Sequence, residues 1–109
     1  MAYDEDLAAR VREIIGERAG VSERKMFGGI GFMLGGNVAV GVHGEDLIVR
    51  IDPAGHETAL ADPAARTFDL TGREMRGWLF VAPAGSKTER RLRAWVERGA
   101  AFASSLPSK

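Results

Sequence analysis

Apolar residues recur at two different periods along this chain, and the changes of period mark its elements. Leu7, Val11, Ile14 and Ile15 follow helical spacing while Arg10, Arg12, Glu13 and Glu17 fall on other faces, which predicts a first helix over about 3–18. Asp4, Glu5 and Asp6 sit at its positive end and Arg18 at its negative end, as the helix dipole favours. Gly20 supplies a stop.

The period then shortens to two. Strands are expected over about 25–34, 37–43 and 47–51, with Gly35-Gly36-Asn37 and His43-Gly44-Glu45-Asp46 as the turns between them. Connections this short imply an antiparallel meander. Asp52-Pro53 reads as a capped helix start, with the helix ending near 61. Two further strands are expected over about 66–70 and 77–82. Ser86-Lys87-Thr88-Glu89 has the form of a capping box and opens a last helix. Its apolar stripe is Leu92, Trp95, Val96, Gly99, Phe102, Ala103 and Leu106, and Pro107 closes it.

The expected fold is therefore α+β, a two-layer, five-stranded antiparallel sheet with helices in the order α-β-β-β-α-β-β-α. The chain of 109 residues, with no linker or repeat, reads as one domain.

Strand alternation carries the functional expectation. One face of the first two strands holds Met26, Ile30, Phe32, Leu34, Val38, Val40 and Val42, and should meet the helices. The reverse face holds Gly29, Gly31, Ala39 and Gly41 together with Phe27 and Met33. Repeated glycine in an apolar strand marks close approach by another backbone, or a bend. Left uncovered, such a small and charge-poor surface would be a contact site. Covered by a helix of the chain, the same glycines would be packing residues only.

Composition narrows the function classes. Fifteen basic and fifteen acidic residues cancel, which argues against a protein devoted to holding a phosphate backbone. With no cysteine there is no disulfide, thiolate nucleophile or Cys-based zinc site. The acidic start is unlike a secretory signal, and no apolar run reaches bilayer-spanning length, so the cytoplasm is the expected location.

Candidate chemistry is sparse. His43 and His56 lack metal-ligand spacing. Gly85-Ser86-Lys87-Thr88 lacks the earlier glycine of a phosphate loop, and Gly29-Ile30-Gly31 lacks the third glycine of a dinucleotide fingerprint. Arg90, Arg91, Arg93 and Arg98 make the last helix locally basic, interrupted by Glu89 and Glu97. Lys87, Arg90, Arg91 and Arg93 are the candidates for nucleic-acid or anion contact, with Arg73 and Arg76 as turn arginines that could hold an anion.

Lys25-Met26-Phe27-Gly28-Gly29, Val40-Gly41-Val42-His43-Gly44 and Leu47-Ile48-Val49-Arg50 precede a closing Trp95-Val96-Glu97-Arg98-Gly99 and Phe102-Ala103-Ser104-Ser105-Leu106-Pro107. In this order they resemble the N-terminal domain of the TfoX/Sxy competence-regulator family, essentially over the full chain. The resemblance implies a compact α+β domain with a secretion-chaperone-like arrangement, a link to regulation of DNA-uptake competence, and self-association. Full-length members carry a C-terminal domain without counterpart in these 109 residues, and the family supplies no catalytic residues to carry over.

The expectation is a non-enzymatic, cytoplasmic regulatory or protein-interaction domain without cofactor or metal. It would act as a homodimer or with another protein, through Phe27, Gly29, Gly31, Met33, Ala39 and Gly41. A nucleic-acid-binding accessory protein acting through the last helix is the alternative.

Overall fold

The structure is a computed structural model that describes residues 3–16, 18–26, 28–69, 72 and 75–108. Three helices and six strands follow one another as α1 (Glu5–Ile15), β1 (Val21–Met26), β2 (Gly29–Leu34), β3 (Asn37–His43), β4 (Asp46–Arg50), α2 (His56–Ala59), β5 (Ala65–Thr67), β6 (Trp78–Val81) and α3 (Glu89–Ser105). The strands form one antiparallel open sheet in the order β1-β2-β3-β4-β6-β5. The fold is α+β, as the sequence predicts, with six strands instead of five.

The added strand comes from splitting the segment read as one strand over 25–34. The chain reverses between Met26 and Gly29, which face each other at the end of the β1–β2 hairpin, and Gly28 there has φ +75°. A turn needing positive φ cannot lie inside a strand. The β2–β3 hairpin follows expectation, with Gly35 and Gly36 at φ +58° and +84°.

Helix starts follow local chemistry. Asp4 caps α1 by accepting from the Asp6 and Leu7 N–H groups. Asp52 accepts from the Ala54 N–H at 2.9 Å, opening a 3₁₀ turn at Pro53–Gly55 that leads into α2. The start of α3 differs from the expected capping box. Pro83–Gly85 forms a 3₁₀ turn in which the Pro83 carbonyl accepts from the Ser86 N–H, so Thr88 becomes the cap and accepts from the Arg91 N–H at 3.2 Å. Ser86 is buried and terminates that turn.

Helices α1 and α3 lie on one face of the sheet. Leu7, Val11, Ile14 and Ile15 of α1 and Leu92, Trp95, Val96, Ala100 and Ala103 of α3 pack on Phe32, Val40, Val42, Leu47, Val49, Leu79 and Val81. At roughly 25 cal/mol per Å² of apolar area removed from water, this layer dominates stability. Arg12 ties α1 to the edge strand through a forked pair with Glu23, with N–O distances of 2.7 and 2.8 Å. Arg18 pairs with Glu97 across the helix layer. Among the described residues no helix is long and apolar enough to cross a membrane.

Candidate interaction surface

The reverse face of the sheet is set by register. Arg24 faces Gly31, Met26 faces Gly29 and Ser22 faces Met33 between β1 and β2. Gly31 in turn faces Gly41, which faces Ile48, which faces Phe80. These residues form one surface opposite α1 and α3.

A bulge shifts the register between Phe32 and Met33, so that Phe32 pairs with Val40 and Met33 with Val38. The extra residue is Ala39. It is fully buried in the helix-side core, with its carbonyl oxygen beneath α3, where a Cβ at Gly99 would come within 2.4 Å of it. Ala39 therefore does not belong to the reverse face, and Val38 does. Met26 also moves: its thioether folds over Gly31 on the reverse face and does not meet the helices. Simple alternation placed these three residues wrongly because a bulge and a turn each reset the parity of a strand.

Gly29, Gly31, Met33 and Gly41 are brought together as expected, and all four are buried. A Cβ at Gly29 would lie 1.9 Å from the Val42 carbonyl oxygen, and one at Gly41 would lie 2.8 Å from that of Ile30. A Cβ at Gly31 would meet the Met26 sulfur at 2.6 Å. The glycines thus admit the chain's own backbone and one of its methionines. Phe27 lies outside the described residues.

Half of the face is closed by the chain itself. After β5, Phe68 folds back and stacks on Phe80 with ring centroids 4.9 Å apart, and Ile48, Met75 and Trp78 complete a second cluster. Arg66 lies 4.8 Å above the Phe80 ring and pairs with Asp46, while Arg50 lies 5.2 Å from the Trp78 ring. His43 tilts against Phe80, with ring centroids 5.8 Å apart. The excursion is pinned at Gly77, whose N–H donates to the buried His56 Nδ1 at 3.0 Å and whose carbonyl accepts from the Ile51 N–H. Over β1, β2 and the start of β3 the described residues supply no second layer beyond the Met26 side chain, and Met26 and Val38 remain half-buried.

The basic candidates on α3 do not form one free patch. Arg91 donates to Asp62 and to the Ala84 carbonyl, and Arg93 pairs with Glu89 one turn earlier. Lys87 and Arg90 are exposed and join no ion pair among the described residues. Arg76 pairs with Glu57, and Arg73 lies outside the described residues. The Ala64 N–H and then the Arg91 guanidinium hold the Asp62 carboxyl below the usual carboxylate range, and Arg12 does the same for Glu23. Among the described residues no group of three or more histidines and carboxylates is placed to hold a metal.

The bulge at Ala39, the half-exposed Met26–Val38 strip and the folded-back Phe68 were beyond periodicity alone. The one usable signal was Gly99, a glycine inside a strong helix pattern, which marks close approach to a neighbouring backbone.

No curated protein and no solved structure matches the chain. The family model described as the TfoX N-terminal domain matches residues 13–103 of the 109, from the end of α1 to the last turn of α3. With that match covering the whole sheet and nearly all of α3, the chain belongs to the TfoX N-terminal domain family.

Proposed function

We propose that this chain is a non-catalytic regulatory interaction domain of the cytoplasm, linked to control of DNA-uptake competence, and that its recognition surface is the open half of the sheet's reverse face. The observation that carries this reading is the unequal covering of the sheet. One face is sealed by α1 and α3, whereas on the other Met26 and Val38 stay half-buried beside the buried Met33. A half-buried methionine beside a β-branched residue makes an adaptable apolar contact. A second copy of the chain is the first partner this strip suits, because an isologous contact sets the same apolar residues against each other.

A strain lacking the chain, complemented with wild type or with Val38→Arg, tests the reading through uptake of marked DNA. Wild type should restore uptake, and Val38→Arg should not, while the purified variant melts as wild type does. Full restoration by Val38→Arg, or undiminished uptake in the strain without the chain, would contradict it.

A further inference from the structure

His56 leaves one ring nitrogen unused. The residue is 7% exposed, and its Nδ1 accepts the buried Gly77 N–H at 3.0 Å. A nitrogen that accepts carries no proton, so the neutral ring holds its proton on Nε2. That Nε2–H has no hydrogen-bond partner among the described residues, where no buried side-chain nitrogen is left unsatisfied, so it reaches solvent. His56 lines an open cleft of about 320 Å³ with Glu57, Leu60, Thr67 and Arg76, between α2, β5 and the turn leading into β6. A donor fixed on a buried ring and opening into a space of this size is the orienting group of a small-molecule pocket.

The other groups of the cleft favour an uncharged ligand. Arg76 and Glu57 answer each other in an exposed forked pair, which leaves no net charge. Leu60 supplies a half-buried apolar side. The Thr67 hydroxyl makes no hydrogen bond among the described residues and can give or take one. The tautomer of His56 disfavours ions of either sign. An anion at Nε2 favours the doubly protonated ring, and a metal ion needs Nε2 bare. Either puts a proton on Nδ1 and breaks the buried bond to Gly77. A neutral acceptor leaves that bond intact.

We propose that this cleft binds a small neutral amide. Its carbonyl oxygen accepts from His56 Nε2–H, its N–H donates to the Thr67 hydroxyl, and its apolar substituent lies on Leu60. None of these residues belongs to the Met26–Val38 strip, so the site stands independently of recognition through the sheet.

The test is a titration of the ¹⁵N-labelled chain with N-acetylleucine methylamide, read through the histidine ring nitrogens. His56 should hold the Nε2–H tautomer before and after addition, and its Nε2 signal should move while the His43 ring signals stay. N-acetylleucine, with a carboxylate in place of one amide, should bind roughly tenfold more weakly. Thr67→Val keeps the shape of the side chain and should weaken amide binding about tenfold at unchanged melting temperature, whereas Val38→Arg should leave it unaltered. A leucine-centred tetrapeptide that binds more tightly than the capped residue supports the site with a protein chain as the source of the amide; the reverse order supports it with a free small molecule. An unmoved His56 signal at about 20 mM amide would overturn the proposal. So would an Nδ1–H tautomer in the free protein, or equal binding of the carboxylate.

Discussion

Gly29, Gly31 and Gly41 share one face of two paired strands, but a methyl group at each would meet a different obstacle. At Gly29 and Gly41 it is a carbonyl oxygen of the neighbouring strand, at 1.9 and 2.8 Å. Backbone cannot yield without breaking the ladder. At Gly31 it is the thioether end of Met26, a side chain with several rotatable bonds. Gly29→Ala should therefore cost about 3 kcal/mol or more, at the upper end of overpacking, and Gly31→Ala under about 1 kcal/mol. Urea denaturation of the two variants measures this directly; equal losses would mean the strands are not in close contact at Gly29. His56 belongs to the same scale. Its Nδ1 is the acceptor for the buried Gly77 N–H, so His56→Ala should cost about 1–3 kcal/mol and loosen the excursion carrying Phe68 and Trp78.

Among elements, those with a strong period were legible and those without one were not. α1, β3, β4 and α3 announce themselves because one face of each is buried and that burial imposes alternation or a helical stripe. β1 has no such constraint. Its sequence Val-Ser-Glu-Arg-Lys-Met is exposed at four consecutive positions, since it forms the sheet's edge. Charged side chains there discourage pairing with a further strand, which is useful at an edge and also hides the strand from pattern reading. Tertiary bonds do mark it. Glu23 is held to α1 by Arg12, whose hydrogen bond keeps the Glu23 carboxyl below its ordinary range. A depressed folded-state value means the contribution is present above the ordinary carboxylate range and lost as pH falls through the depressed one; the same sign holds for Asp62. Both pairs are partly exposed, so each is worth under about 1 kcal/mol. The contribution of these two pairs should persist down to about pH 5 and be lost only in acid, and Arg12→Gln should flatten that acid decline. A variant whose acid decline matched wild type would show that the pair adds nothing.

For the whole molecule, the family and the layer architecture are readable from sequence, while the make-up of the sheet's reverse face is only half so. The sequence places Gly29, Gly31 and Gly41 on one face, as the structure does, yet these glycines are filled from within and the half-exposed part of that face is Met26 and Val38. Ala39 changed sides through the bulge, and no periodic pattern reveals a bulge before the partner strand is known. If two copies meet through this strip, light scattering of the purified 11.7 kDa chain should report a dimer that Val38→Arg dissociates. Arg90→Glu on α3 should leave that mass unchanged.

Recognition through the open part of the sheet's reverse face is tested most directly by photocrosslinking in the native cell, with the crosslinking residue at position 38 in one strain and at position 101, on the exposed side of α3, in another. Adducts should form from position 38 and be absent from position 101, and their mass distinguishes a second copy from another protein. Adducts from position 101 with none from position 38 would contradict the assignment.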